Sequence, residues 1–328
     1  MRAQLSRLSV DTFLLLLVVV VALATVLPAR GSAADVLSVA TKVVIALLFL
    51  LYGARLSPQQ AWHGVRQWKL HLLVLATTFV VFPLLGLAAR ALVPSVLTDD
   101  LYAGLLFLCL VPSTVQSSIA FTSMARGHVP AAIVSASLSN IVGVLLTPLL
   151  VLVLMPIGGA PRVDGSAVLD IVLQLLAPFV VGQLLRPWLA PVVTRHAVLT
   201  KVVDRGSILL IVYAAFSVGM VDHIWSSVQP WRVVAVAAVS TLLLAIVLAC
   251  TWITGKLARL DRGDAIVLLF CGSKKSLASG LPMALVLFPP ATVGLIMLPL
   301  MLFHQIQLFV CAVIASRLGR GAAQISSG

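Results

Sequence analysis

Ten apolar runs follow one another along the chain, separated by short polar interruptions: Thr12 to Leu27, Val36 to Leu56, Trp68 to Leu92, Leu101 to Ala125, Val129 to Met155, Ala167 to Trp188, Val202 to Val221, Trp231 to Leu257, Ala265 to Phe288 and Ala291 to Ser316. A helix needs roughly 20 residues to cross a bilayer, with some latitude for tilt, so the pattern predicts an all-α polytopic membrane protein of ten transmembrane helices. No linker or soluble domain interrupts the spans, because the longest polar stretch, Leu189 to Asp204, is still rich in aliphatic residues. The first run has a competing reading. It follows Arg2 and Arg7 and precedes a small-residue patch, Gly31 to Ala34, as a cleaved signal peptide would, although its 16 residues exceed most signal cores.

Charge supports the ten spans. Fifteen Lys and Arg fall on one set of alternate loops, four (Arg30, Arg90, Arg162, Arg232) on the other, and Lys42, Lys274 and Lys275 lie within spans. The positive-inside rule therefore places both termini in the cytoplasm and the chain in a cell membrane. The net charge of +12 sets topology and does not point to nucleic acid, since 61% of residues are hydrophobic, only 10% are charged, and the mean hydropathy is +1.15. Cys109, Cys250, Cys271 and Cys311 all lie in apolar runs without paired or metal-like spacing, so neither a disulfide framework nor a metal site is indicated. All ten acidic residues are aspartates near run ends, which argues against a proton relay of intramembrane carboxylates.

The two halves resemble each other. Trp62, Val65 and Trp68 precede the third span with the spacing that Trp225, Val228 and Trp231 show before the eighth, and a similar offset sets Pro112 to Ser118 against Cys271 to Leu277. Five spans per half is an odd number, so the repeats, about 10–156 and 166–318, are expected to be inverted in the membrane. The tryptophans also suit interfacial anchors.

Two polar stretches carry the candidate chemistry. In the ninth run, LLFCGSKKSLASGLP (Leu268 to Pro282) sets Lys274 and Lys275 among small residues and a proline, and the fourth run contains PSTVQSS (Pro112 to Ser118). Intramembrane lysines mark binding sites or pathways, and proline and glycine let a membrane helix unwind where the freed backbone meets protein or cavity water. Two discontinuous helices, the fourth and ninth, are expected to cross, their free amides facing an anion and their free carbonyls a cation. Candidate substrate contacts are Lys274, Lys275, Ser273, Ser276, Ser113, Thr114 and Gln116. Ser117 and Ser118 add neutral oxygens, as do Ser135, Ser137, Ser139 and Asn140 of the fifth run. Lys42 is expected to snorkel, and His304, Gln305 and Gln307 to bond between helices.

These residues resemble a known family. FCGSKKSLASGLPMA (Phe270 to Ala284) is similar to the signature of the bile acid:sodium symporter-like family, the SBF-like branch of the bile acid:sodium symporter superfamily, which also contains solute carrier family 10. The likeness extends to Lys69–Pro83, the fourth-span break and Ser123–Asn140. It implies a panel domain (helices about 12–56 and 167–221) and a core domain (about 68–155 and 231–316) with substrate in the crevice between them. In sodium-coupled relatives, oxygens of the fourth and fifth helices, a ninth-helix Glu and Gln, and a third-helix Gln hold two ions. Here Ser117 matches a ligand serine and Ser118 replaces an asparagine. Ala132 and Ala136 stand where hydroxyls would, leaving Ser135 and Ser139 to substitute after a register shift. Thr78 takes the third-helix Gln position, Cys271 about that of the Glu, and Lys275 about that of the ninth-helix Gln.

A lysine ammonium beside an open helix end fills the electrostatic role of a bound cation and opposes sodium entry. The expected function is secondary transport of a small or amphipathic organic anion, by symport if the resemblance holds, with Na+ or H+ as coupling ion and no other cofactor. Lys274 or Lys275 is expected to replace at least one sodium, as a fixed charge or a proton carrier. Alternatives are an intramembrane hydrolase in which Lys275 activates Ser118 or Ser276, and a non-transporting sensor.

Overall fold

The computed structural model describes residues 12–55, 67–155, 176–221 and 229–325. All regular secondary structure among the described residues is helical, with no strand among them. In chain order the helices are α1 (Thr12–Val26), α2 (Ser32–Arg55), α3 (Trp68–Leu92), α4 (Asp99–Leu110), α5 (Gln116–Met124), α6 (Val129–Leu154), α7 (Leu176–Leu184), α8 (Arg186–Arg195), α9 (Ala197–Val221), α10 (Pro230–Leu257), α11 (Arg262–Gly272), α12 (Leu277–Leu287) and α13 (Pro290–Ile325). Among the described residues, six helices are long and apolar enough to cross a membrane, or seven if α7 and α8, bent by 88° where they meet, count as one span. Large aliphatic side chains such as Val39, Leu72, Leu145, Val153, Val234 and Leu242 stand exposed on the long helices, as lipid-facing residues do.

The helices divide into two compact units. The first unit comprises α1, α2, α7, α8, α9 and residues 288–294. Here α2 and α7 cross closely enough that a side chain on either of two glycines would strike backbone. A Cβ on Gly53 would lie 2.1 Å from Phe179 O, and one on Gly182 would lie 2.0 Å from Leu50 O. Small residues allow such contact where no hydrophobic force separates helix from lipid.

The second unit holds α3 to α6, α10 to α12 and the remainder of α13. Its interior is built on the short helices. α4 and α11 bury nearly every residue along their last two turns, and α12 buries almost its whole length. Their entries are capped: Thr98 Oγ1 accepts from Leu101 N at 3.3 Å, and Asp261 Oδ1 from Asp264 N at 2.9 Å. α5 and α10 end alike, with Arg126 and Arg259 in the left-handed conformation (φ 59° and 52°) while the next N–H reaches back to Thr122 O and Gly255 O. That Schellman-type closure satisfies carbonyls the helix end would otherwise strand. The paired tryptophan pattern lies largely outside the described residues, since Trp62, Val65, Trp225 and Val228 are not among them, and the first part of the sixth apolar run, 167–175, falls there too.

Candidate functional site at two helix breaks

Chain continuity fails at two places in the second unit, and the loose ends of one are tied to the other. Between α4 and α5 the chain unwinds over residues 111–115, and between α11 and α12 over 273–276. Pro112 starts the first break because it has no N–H to offer Leu108 O and its ring crowds the turn before it. The freed groups are then satisfied one by one. Leu110 O accepts from Thr147 Oγ1 (2.8 Å), Pro112 O from Ser276 N (2.8 Å) and Ser113 O from Asn140 Nδ2 (2.8 Å), while Ser113 N donates to Ser139 Oγ (3.1 Å). Helix α6 comes this close because residue 143 is glycine; a Cβ there would sit 2.5 Å from the Pro112 ring.

At the second break the partners are reciprocal. Ser113 Oγ donates to Cys271 O (2.6 Å), Ser118 Oγ to Phe270 O (3.1 Å) and Ser273 Oγ to Leu269 O (2.5 Å). Ser276 Oγ accepts from Ser279 N (3.1 Å) and opens α12. Ser279 Oγ donates to Asn140 Oδ1 (2.8 Å), so Asn140 joins both breaks. Gln307 on α13 grips Lys275 by its main chain, accepting from Lys275 N at 2.9 Å and donating to Lys275 O at 2.8 Å. Buried backbone polar groups rarely go unpaired, and here the hydroxyl-rich sequence of the breaks supplies most of the partners.

The two lysines are fully buried and differ in every other respect. Lys275 Nζ donates to three main-chain carbonyls, Thr78 O (2.9 Å), Cys109 O (2.8 Å) and Val111 O (2.8 Å), and lies 4.2 Å from the Phe82 ring centroid. Three N–H bonds and three acceptors exhaust the ammonium's donors. Cys109 O is available because Ser113 N, its partner in a continuing helix, has gone to Ser139. Thr78 O is available because α3 widens to a π-turn over Thr77–Val81, where Phe82 N reaches back to Thr77 O, and residue 83 is a proline with no N–H. Among the described residues Lys274 Nζ has no hydrogen-bond partner, and it sits 3.6 Å over the face of Phe121. Neither lysine is ion-paired among the described residues.

Most residues singled out from the sequence meet at this crossing. Ser113, Thr114, Ser118, Ser135, Ser139, Cys271, Ser273, Lys274, Lys275, Ser276 and Thr78 are buried. Ser117, half-buried, donates to Thr114 Oγ1 (2.8 Å), whereas Gln116 is exposed. Thr78 participates through its carbonyl, its hydroxyl being turned back to Val74 O at 2.8 Å. Ser135 Oγ pairs with His71 Nδ1 (2.7 Å), a partner the sequence reading overlooked. Gln307 does more than bond helix to helix, and only its place three residues after His304, on the same polar face, hints in the sequence at its grip on Lys275. Lys275 Nζ is directed at carbonyls and not at Ser118 or Ser276, so the geometry offers no Ser–Lys nucleophile.

Exposed aliphatic faces around a buried, hydrogen-bonded double break define a multi-pass membrane protein, and likeness to known proteins makes it a transporter and not an enzyme. The description of the SBF-like CPA transporter family matches residues 11–320, and the chain belongs to that family. It is 50% identical over 311 residues to "Uncharacterized protein PA2026" of Pseudomonas aeruginosa, covering 94% of this chain and 93% of that one. It is 46% identical over 319 residues to "Putative symporter YfeH" of Escherichia coli (97% and 95%). More distantly, it is 25% identical over 322 residues to "Sodium/bile acid cotransporter 7" of Danio rerio (94% of each).

Proposed function

We propose that this chain is a secondary active transporter that carries a small or amphipathic organic anion across the cell membrane by alternating access, with ten spans in two inverted five-helix repeats and both termini in the cytoplasm. One observation carries the reading: two interrupted helices clasp each other through main-chain groups around two buried lysines and, among the described residues, no buried carboxylate. Interrupted helices are how transporters expose backbone dipoles to substrate and ion inside a bilayer. The helix order supports the repeat, since each half runs through several long helices to one broken helix and a final long one. The names of two relatives, a putative symporter and a sodium/bile acid cotransporter, support symport of an organic anion.

In this reading the anion is held by positive potential from the lysine pair and by the hydroxyl and amide groups of Ser113, Thr114, Gln116, Ser273 and Ser276. The neutral oxygens of Ser117, Ser118, Ser135, Ser139 and Asn140, with Thr78 and Cys271, shape the place where relatives hold sodium. Positive charge fixed there takes over at least one ion's role, so the transport cycle depends little on sodium. The test is uptake into proteoliposomes, preceded by a thermal-shift screen of organic anions in sodium, potassium and graded pH; a bound ligand raises the melting temperature. Accumulation of a ligand found in this way, driven equally well with sodium replaced by potassium, is the expected result. Absence of flux for every ligand that binds overturns transport. Sodium-stimulated uptake that persists in the Lys274→Met, Lys275→Met double variant overturns the role given to the lysines.

A further inference from the structure

The three carbonyls around Lys275 come from separate stretches of chain, and each has lost its ordinary main-chain donor. Thr78 O is released by the π-turn and Pro83, Cys109 O by diversion of Ser113 N, and Val111 O by the end of α4. They converge on a single point from Nζ distances of 2.8–2.9 Å, with the Phe82 ring face closing a further side at 4.2 Å. A ring of main-chain carbonyls facing an aromatic surface is the chemistry that selects a weakly hydrated monovalent cation. The side chain that fills this point is rooted in the second break, where Gln307 holds Lys275 by both its N–H and its C=O.

We propose that Thr78 O, Cys109 O and Val111 O form a monovalent-cation site that the protein fills with its own ammonium. Emptied of the lysine side chain, the site accepts a free ammonium or potassium ion, whose size matches the spacing set by Nζ, in preference to the smaller sodium. For transport the consequence rests on the function proposed above: a cation tethered to the chain neutralises the helix end in every state and is never released to either side, so it contributes no ion to the coupling. The other lysine has no part in this, since Lys274 Nζ meets an aromatic face and no carbonyl.

The experiment is a melting curve of full-length, detergent-purified Lys275→Ala in equal concentrations of ammonium, potassium, sodium and choline chloride. Wild type and Lys275→Met, whose apolar chain fills the same space, are run beside it. Lys275→Ala is expected to melt a few degrees higher in ammonium or potassium than in choline, while the other two proteins are indifferent to the cation. Propylammonium, which restores both the charge and most of the missing stem, is expected to raise it further. Equal melting in all salts overturns the proposal, and a response to sodium alone overturns the size assignment. If Lys275→Ala cannot be purified in choline, its recovery in ammonium throughout supports the site, and its loss in every salt overturns it. No substrate enters this measurement, so failure here leaves transport standing, and failure to find flux leaves the cation site standing.

Discussion

Lys274 and Lys275 are neighbours in sequence with opposite structural economics. Replacing Lys275 by Met strands three buried carbonyls, and each unmet group costs about 1–3 kcal/mol, so a loss of roughly 3 kcal/mol or more is expected. Replacing Lys274 by Met removes a buried amine that has no acceptor and leaves an apolar chain of similar reach against Phe121, a change expected to be neutral or stabilising. Melting temperatures in detergent should therefore run Lys274→Met at or above wild type, and Lys275→Met well below it; equal losses would refute the division. Gln307→Leu should also cost roughly 2 kcal/mol, because Lys275 N loses its partner and Lys275 O keeps only His304 Nδ1, 3.5 Å away. The lysines were legible in the sequence because charge inside an apolar run is conspicuous. Gln307 was not, since a lone amide on a membrane helix usually bonds whatever lies opposite. The contribution of Thr78 could not be read from its side chain at all, because the group that matters is a carbonyl freed by the π-turn and by the proline five residues on.

At the scale of elements, the sequence located the interruptions but not how they are held. Pro112 and the serine-rich runs announced broken helices; that the second break would donate Ser276 N to Pro112 O of the first, and the first donate Ser113 Oγ to Cys271 O at the end of α11, needs three dimensions. The turn between α5 and α6 is tied to the start of α11 by a second device that sequence reasoning missed. His128 Nδ1 lies 2.8 Å from Asp264 Oδ1 and its Nε2 3.6 Å from Asp261 Oδ2, while Gln67 Nε2 reaches Asp264 at 3.3 Å. Arg262 beside them donates to Ala125 O (3.3 Å) and Leu318 O (2.9 Å). The hydrogen bond to Asp264, with lesser help from the charges of Asp261 and Asp264 and against partial burial, holds the His128 pKa above its ordinary value. A raised folded-state pKa means that the contribution to stability is complete below the unfolded pKa and is lost as pH rises through the folded one. The melting-temperature gap between wild type and His128→Asn should accordingly be widest at about pH 5.5, roughly one unit below the ordinary histidine value, and close as the medium becomes alkaline. The ring is half exposed, so the gap should be small and should narrow further in high salt; a gap independent of pH would show that the contact acts by shape alone.

For the whole molecule, two properties of the sequence give different counts, and the reason is physical. Among the described residues, length and hydropathy find six or seven spans because α1, at 15 residues, and α4, α5, α11 and α12 are each too short to cross. Charge sorting finds ten because it counts the fourth and ninth apolar runs as crossings: the ninth follows Lys256, Arg259 and Arg262 and is followed by no Lys or Arg before Arg317, and the fourth puts Arg126 on the side opposite Arg90. A broken helix that crosses separates its two ends by the bilayer; a re-entrant one returns both to the same side. The residues before α4 and after α5 are therefore the place to decide. Ser95 and Arg126 are both exposed, and the four native cysteines are buried or half-buried, so single introduced thiols can be read against a quiet background. In intact cells a membrane-impermeant maleimide should label Ser95→Cys directly and Arg126→Cys only after permeabilisation. Labelling of both from the same side would make the fourth run re-entrant, reduce the span count, and remove the inverted symmetry on which alternating access in this chain is argued, while leaving the carbonyl cage around Lys275 unchanged.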